Sequence, residues 1–405
     1  MNTHIAVKMM CGAASMFLGC AHAAQDQYRI DVLADPSSMT SFQYARDINN
    51  AGQIVGIGVS VGSTRSRGFL WVDGRITDIG SLDPTGTYSA RPSAITELGV
   101  IVGDSPTSGP SLFSTGVGSA VKKDRAFVLD HSSIRDLGFV AANKLSAAYD
   151  INSHGHAVGQ AELSASTLSP VLWDGTGVRD LGLLSDQPGA GGIATSINDA
   201  GQIVGAASAA TSTHAFIWSS GALVDLHDLA GLPGDALSWA TSINETGNVV
   251  GYFSLGDLTR AFHWDGSAVH VLPDLAEETR NPATYASDIN ASGLIVGHAV
   301  IDQENHAVLW DGRRVVNLSN LPEVRRAGWE WLGSASALND RGQIVGSGLY
   351  DGQMRGFLLT PVPEPRSGIL VLLGLGMVGA ATTWSSRLSR SSGQKQRRGR
   401  TCGTT

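Results

Sequence analysis

A short pattern that occurs seven times constrains this 405-residue chain more than any other feature. Each copy opens a turn with Asn or Thr, reaches a glycine at the fourth turn position and ends in Val-Gly. A repeat with a fixed period outweighs total length as a guide to the fold. The copies lie between Asp47 and Gly346 and read DINNAGQIVG, AITELGVIVG, DINSHGHAVG, SINDAGQIVG, SINETGNVVG, DINASGLIVG and ALNDRGQIVG.

The seven turn glycines set the length of the repeating unit. They follow one another at intervals of 47, 56, 46, 46, 46 and 49 residues. Asn first and Gly fourth favour a tight turn, because the Asn side chain bonds back to the backbone and Gly tolerates the exit geometry. Each unit should therefore contain two strands joined by this turn. The glycines are Gly52, Gly99, Gly155, Gly201, Gly247, Gly293 and Gly342.

Each unit contains two further strand-like stretches. The third is HAFIW at 214–218 or its equivalent, and in four units Asp-Gly, a strong hairpin signal, follows it. A fourth stretch, such as VRDLG at 178–182, completes the unit. Four strands in roughly 45 residues are typical of a propeller blade. The sequence therefore predicts an all-β fold, a seven-bladed β-propeller of four-stranded antiparallel blades over residues 24–360.

The two ends of the repeat region predict how the ring closes. The last copy stops after its third strand at Leu359–Thr360, whereas an unpaired fourth strand, YRIDVL, stands at Tyr28–Leu33. Asp31 lies 18 residues before the next turn Asn, as Asp180 does. We therefore expect the N-terminal strand to complete the seventh blade and to leave no open sheet edge.

The N-terminus has the features of a secretory signal over residues 1–23. Lys8 precedes an apolar run, and Ala21–Ala23 fits the small-x-small cleavage rule. A lipoprotein signal that uses Cys20 is the alternative, although Phe17 stands where an aliphatic residue is expected. The three cysteines, Cys11, Cys20 and Cys402, lie in the signal segment or near the C-terminus. The exported body therefore contains no cysteine and depends on packing, not on disulfides, for its stability.

Residues 361–405 combine a Pro-rich motif, an apolar stretch and a basic tail. Pro363, Glu364 and Pro365 precede the apolar residues 368–384, which are just long enough for a spanning helix. This order resembles the PEP-CTERM sorting signal of Gram-negative bacteria, although the tail after Arg390 is longer than usual for that family. The resemblance implies processing by an exosortase, a transient inner-membrane anchor and an extracellular or cell-surface protein. A plain C-terminal anchor is the alternative.

The repeat itself resembles that of the HAF-repeat family of extracellular bacterial proteins. The triplet that names the family stands here as His214, Ala215 and Phe216, and the resemblance spans about Tyr28–Thr360. The family has no established catalytic site. Because His214 is replaced by Arg in several copies, we expect a solvated strand edge at this position.

Charge and motifs exclude several classes of function. Taking six basic residues of the tail and Lys8 from the formal net charge of −8 leaves −15 for residues 24–386. A body this acidic repels phosphate backbones, so we expect no nucleic-acid partner. The sequence has no zinc pair, phosphate loop or nucleophile elbow, so no metal, cofactor or catalytic residue is predicted.

Two sets of repeated residues have alternative interpretations. Asp47, Asp150 and Asp288 stand two positions before the turn Asn and either present carboxylates for Ca²⁺ or bond to backbone. A tryptophan at one position of five units indicates packing between blades. These residues are Trp71, Trp173, Trp218, Trp264 and Trp310.

A position that varies between the copies is the candidate ligand site. Five residues before the turn Asn stand Tyr44, Trp239 and Tyr285, with Trp329 and Trp331 near the seventh copy. We place them in the links that enter the blades, where loops surround a binding face. Aromatic rings there suit stacking on sugar rings; the alternative is that they plug the blade tops.

Three functions fit these observations. The first is a secreted, non-catalytic propeller that binds exopolysaccharide or a surface or matrix partner. The second is a propeller glycosidase or polysaccharide lyase with carboxylates in the central funnel. The third is a protein-interaction scaffold. The membrane is involved only through the C-terminal helix before processing.

Overall fold

A computed structural model describes residues 28–362 except 36–39, 61–64, 108–123, 132, 139, 141–143, 164–166, 230, 233–234, 276–282 and 313. These residues form seven antiparallel sheets, each with four strands of a blade, and the innermost strands contact one another around a closed ring. The predicted seven-bladed β-propeller is confirmed. The signal segment 1–23 and the motif Pro363–Pro365 lie outside the described residues.

The first four blades follow two N-terminal strands along the chain. Those two are β1 (Tyr28–Val32) and β2 (Ala34–Asp35). Blade 1 contains β3 (Thr40–Ile48), β4 (Ile54–Ser60), β5 (Arg67–Val72) and β6 (Arg75–Asp78). Blade 2 contains β7 (Arg91–Ile95), β8 (Ile101–Pro106), β9 (Asp124–Asp130) and β10 (Ser133–Asp136). Blade 3 contains β11 (Ser146–Ile151), β12 (Ala157–Ala161), β13 (Ser169–Trp173) and β14 (Val178–Asp180). Blade 4 contains β15 (Gly192–Ile197), β16 (Ile203–Ser208), β17 (Thr213–Ser219) and β18 (Ala222–Asp225).

The last three blades repeat this order and add short helices. Blade 5 contains β19 (Leu237–Ile243), β20 (Val249–Leu255), β21 (Leu258–Trp264) and β22 (Val269–Val271). Blade 6 contains β23 (Ala283–Ile289), β24 (Ile295–Ile301), β25 (Glu304–Trp310) and β26 (Val315–Asn317). Blade 7 contains β27 (Trp329–Leu338), β28 (Ile344–Tyr350) and β29 (Gln353–Pro361). The helices are α1 (Leu226–Leu229), the 3₁₀ turn Leu318–Asn320 and α2 (Pro322–Arg326).

The N-terminal strand β1 closes the ring as its outermost strand in blade 7. It pairs with β29 from Tyr28 opposite Pro361 to Val32 opposite Phe357. The register differs by one residue from the sequence-based alignment. In blade 4, Asp225 of β18 pairs with Phe216. The equivalent phenylalanine of blade 7, Phe357, pairs with Val32 and not with Asp31. Counting residues to the turn missed this shift because the links between blades differ in length.

Hydrogen bonds from the turn asparagines join neighbouring blades into a ring, which we call the asparagine belt. The amide of Asn339 donates to the carbonyl of Asn49 across the closure at 3.0 Å, and Asn49 donates to Thr96 at 2.9 Å. Threonine has no amide group, so Thr96 does not extend the belt to blade 3. The remaining donors are Asn152, Asn198, Asn244 and Asn290, each to the turn of the next blade.

The same asparagines also shape their own turns. The side-chain oxygen of Asn198 accepts the backbone N–H of Gln202 at 2.9 Å. The glycine of this turn, Gly201, has a φ of 74°, in the left-handed region that favours glycine. One Asn therefore caps its turn with its oxygen and binds the next blade with its nitrogen, which explains why this residue recurs.

The second repeated glycine is needed for close backbone packing. A Cβ at Gly205 would lie 2.0 Å from the carbonyl oxygen of Ile193 on the innermost strand. The equivalent contact at Gly251, with Trp239, would be 1.9 Å. Only glycine therefore lets the second strand approach the first at this level of the blade.

Seven apolar clusters lie between or within neighbouring blades and form the core. The expected packing role of the five tryptophans is confirmed: Trp173, Trp218 and Trp310 are buried, and the half-buried Trp71 and Trp264 pack against clusters. Trp329 is also a core residue, since it is 5% exposed and its ring contacts Tyr350 and Phe357.

Candidate functional site

The three aromatic residues predicted to bind a ligand lie within the innermost strands, not in the links between blades. They occupy one equivalent position of the innermost strands, which surround the axis of the ring and which we call the channel wall. Tyr44 is 44% exposed, and the other two are half-buried. Each pairs with the residue after the Val-Gly of the second strand. The pairs are Tyr44 with Ile57, Trp239 with Tyr252 and Tyr285 with His298.

Two of these three aromatics belong to a group on adjacent strands that we call the aromatic cluster. Its members are Tyr252, Tyr285 and His298, whose rings are in contact, and Trp239, the strand partner of Tyr252. The Tyr285 ring stacks on His298 with centroids 4.7 Å apart and meets the edge of Tyr252 at 4.9 Å. Burial lowers the pKa of His298, which favours the neutral form of the stacked ring. The cluster spans blades 5 and 6, and Tyr44 of blade 1 is separated from it by blade 7.

Blade 2 carries a buried ionic network at the same level of the wall. Arg91 occupies the position of Tyr44 and binds Asp104 through two nitrogens, with Nε at 2.9 Å. Its Nη2 also lies 3.2 Å from Asp124, whose side chain is fully buried. Burial raises the pKa of Asp104 to about 6, although Arg91 opposes this shift.

Every innermost strand has a β-bulge three residues before the turn Asn or Thr, and the bulged residue differs between blades. In blades 4 and 5 it is a threonine that joins adjacent blades: Thr195 donates to the Ala240 carbonyl at 2.8 Å and Thr241 to that of Ala286 at 3.0 Å. In blades 1 and 3 it is a long side chain, Arg46 or Tyr149. Bulges of this kind often redirect a side chain toward a functional site.

Arg46 and Tyr149 flank the ionic network of blade 2. The Arg46 side chain is exposed to solvent, and desolvation followed by the charge of Arg91 lowers its pKa, while the charge of Asp104 opposes this shift. The Tyr149 hydroxyl accepts a hydrogen bond from Gln160 Nε2 at 2.7 Å, and burial followed by the charge of Asp104 raises its pKa. We call Arg46, Arg91, Asp104, Tyr149 and Gln160 the polar cluster.

The sequence interpretation missed the polar cluster, although the repeat contains a signal for it. The residue three before the turn Asn or Thr is Ser or Thr in the other five copies, against which Arg46 and Tyr149 stand out. The residue after Val-Gly varies in the same way and is Asp104 in blade 2 and Gln160 in blade 3. Aligning every position of the unit would have revealed both.

The three repeated aspartates tie adjacent blades together. Asp47, Asp150 and Asp288 accept the backbone N–H of the next blade at 2.8, 2.8 and 3.0 Å, and each also accepts the N–H of its own following residue. Burial raises the pKa of Asp47 to about 7 and that of Asp150 to about 6, while these N–H donors oppose it. Because both oxygens of each carboxylate are engaged by the protein, the backbone-bonding interpretation is favoured over Ca²⁺ binding.

The histidine of the HAF triplet is buried, contrary to the expected solvated edge. His214 is 6% exposed, and its Nδ1 lies 2.8 Å from Asp225 on the fourth strand. Arg125 pairs with Asp136 in the same way at 2.9 Å. In blades 2 and 4 the position is therefore buried and holds either Arg or His, because both residues bind the aspartate of the fourth strand.

Among the residues that the structure describes, one group of three could gather around a cation: His214, Asp225 and Asp228, with ligand atoms within 4.8 Å of one another. His214 Nδ1 already binds Asp225, and Asp228 is exposed. The group is thus a cross-strand pair with an exposed neighbour, and it stands apart from the channel.

Comparison with known proteins finds propellers of low similarity. No family model and no curated protein matches the chain. Similar solved structures include an arginine-substituted mutant of AofleA from Arthrobotrys oligospora (10% identity, 72% of this chain, 90% of that chain, TM-score 0.36). A second is a mutant Aleuria aurantia lectin in complex with alpha-methyl-L-fucoside (13% identity, 75% of this chain, 98% of that chain, TM-score 0.34). A third is Trypanosoma rangeli sialidase in complex with the inhibitor DANA (9% identity, 88% of this chain, 60% of that chain, TM-score 0.37). Within the described residues, no helix is long and apolar enough to cross a membrane.

Proposed function

We propose that this protein is an exported, non-catalytic propeller that binds extracellular polysaccharide on the wall of its central channel. The aromatic cluster carries the proposal. At the position of Trp239 and Tyr285, blade 1 has Tyr44 and the other four blades have Arg, Ala, Ile or Ser. Both aromatic residues remain partly accessible to solvent. Aromatic faces offer apolar area with a polar rim, which suits the C–H faces and hydroxyl edges of sugars.

Replacing Trp239 by Ala is expected to weaken retention on the native extracellular polysaccharide about fivefold to 150-fold, because stacking on one ring contributes about 1–3 kcal/mol. Trp239→Ala combined with Tyr285→Ala should abolish retention. Affinity electrophoresis in gels that contain the polysaccharide measures both effects.

Ile193→Ala is the matched control, since Ile193 is half-buried at the same position of blade 4. It should leave retention unchanged. Retention that survives the double substitution, or a drop in melting temperature as large as that of a core truncation, would show that these rings only pack. Binding to a purified surface protein without any polysaccharide would favour the scaffold function instead.

A propeller glycosidase or lyase is the second candidate, supported by one observation. Asp104 combines a raised pKa with a position beside Arg91 and Tyr149 in the channel wall. A carboxyl whose pKa is raised towards neutral pH is suited to general acid catalysis. New reducing ends or unsaturated sugars released by the wild type, and lost in Asp104→Asn, would establish this function.

We further propose that Pro363, Glu364 and Pro365 direct export through an exosortase. Replacing Pro363 and Pro365 by Ala is expected to leave uncut protein in the inner membrane, because the enzyme no longer recognises the triplet. Fractionation and immunoblotting measure this against a variant with Arg366→Ala just after the triplet. Release of the double variant at normal size would contradict the proposal.

A further inference from the structure

We infer that the polar cluster binds the carboxylate of an acidic sugar and that Arg46 supplies the cation. The inference rests on the proposed function and specifies its ligand as a polysaccharide that contains uronic acid. In this inference the polar cluster of blades 1–3 binds the carboxylate of the ligand, and the aromatic cluster of blades 5 and 6 stacks on the faces of its sugar rings.

The charges of the cluster leave Arg46 available. Arg91 is shared between the carboxylates of Asp104 and Asp124, so its charge is already compensated. Arg46, by contrast, forms no hydrogen bond or ion pair with any residue that the structure describes. An Arg in this setting presents several N–H donors in a planar fork that matches a carboxylate in two-point contact.

The repeat shows what Arg46 replaces. At the equivalent bulge, Thr195 and Thr241 donate to backbone carbonyls of their own and the next blade. An arginine at this bulge gives up a tie between blades and places a cation beside a second arginine. The attraction between Arg46 and Asp104 is smaller than the repulsion from Arg91, so on balance neither change favours the fold, and a ligand accounts for the residue.

A second donor stands on the other side of blade 2. The Tyr149 hydroxyl oxygen accepts a hydrogen bond from Gln160, which leaves its own proton for another acceptor. Among the described residues no acceptor takes this proton. Arg46 and Tyr149 thus flank one stretch of channel wall with N–H and O–H donors, as an anionic oxygen requires.

The acidic body makes this site selective. Residues 24–386 carry a formal charge of −15, which repels anions at long range. At physiological salt the repulsion between exposed charges is screened beyond roughly 8 Å. An acidic polymer therefore gains affinity through short-range contact with a cation, and removing Arg46 should have a large effect if the polymer binds at the polar cluster.

The test measures binding of the full chain to polygalacturonate, alginate and hyaluronan, and to methyl-esterified polygalacturonate as the uncharged counterpart. Arg46→Gln is expected to weaken binding to the acidic polymer that binds best about tenfold. It should leave binding to the ester unchanged and flatten the salt dependence. Arg75→Gln removes an exposed arginine of the same blade and should change binding less than about twofold.

Each outcome decides the inference. A wild type that binds none of the three acidic polymers overturns it, as does equal affinity for the acidic and esterified polymers in wild type and Arg46→Gln. In either case loss of ester binding in Trp239→Ala would leave the proposed function standing. Dextran sulfate serves as a sulfated comparison, and a preference for it over the three carboxylated polymers would overturn the carboxylate assignment.

Discussion

Deleting Tyr28–Leu33 is expected to lower the melting temperature by about 10 °C or more, or to prevent folding. The deletion removes the outer strand of blade 7 and the fully buried Leu33, whose N–H donates to the Gly356 carbonyl at 2.9 Å. It leaves β29 with an open edge and exposes the joint between blades 7 and 1. Thermal unfolding followed by circular dichroism measures the loss.

Alanine substitution of Arg29 and Asp31 provides the control. Their ion pair on β1 is exposed, with side chains 67% and 40% accessible, so its loss should have little effect. A synthetic peptide with the deleted sequence should restore part of the stability in trans. An unchanged melting curve after deletion would refute closure by this strand.

Replacing Arg91 by Leu is expected to destabilise the protein by about 3–5 kcal/mol at neutral pH, because it leaves two buried carboxylates without their cation. The loss depends on pH. The folded-state pKa of Asp104 is already raised to about 6 in the wild type, and removal of Arg91 raises it further. Raised acid pKa values favour the folded state at low pH, and this contribution disappears as pH rises through the folded-state value.

The deficit of Arg91→Leu relative to wild type should therefore be smallest below pH 4 and grow through pH 6 to 8, as denaturant titrations at each pH will show. Arg67→Leu removes a more exposed arginine of the pair with Asp78 and should cost much less. Adding Asp104→Asn to Arg91→Leu should recover part of the loss. A deficit that is independent of pH would contradict the electrostatic explanation.

The sequence predicted the architecture because the repeat carries it locally. Turn asparagines, turn glycines and Asp-Gly hairpins each specify a short-range geometry. Seven equivalent four-stranded units can bury the faces of all their sheets by packing around a ring. The closure was also predictable, since one strand was missing at one end and present at the other. The register of β1 against β29 was mispredicted by one residue, because it depends on side-chain contacts between the two strands and not on the number of residues to the next turn.

The site was less predictable than the fold. Tyr44, Trp239 and Tyr285 were found because their position varies within an otherwise regular unit. They were wrongly placed in the links between blades, because the sequence does not show where each link ends and the innermost strand begins. The polar cluster joins side chains from three blades, and no single unit shows that Arg46, Arg91 and Tyr149 are neighbours. The HAF histidine was misjudged because replacement of His by Arg was taken to indicate solvent, whereas an aspartate on the fourth strand binds either residue.

The asparagine belt has a direction that affects the electrostatics of the turn face. In all six bonds the amide belongs to one blade and the carbonyl to the next blade around the ring, in the same sense. In a helix such dipoles align and add to a pole at each end. In this belt they circulate around the axis and largely cancel, so the turn face has no fixed pole. Thr96 interrupts the circulation, and the uncancelled remainder lies between blades 2 and 3, beside the strand that carries Arg91.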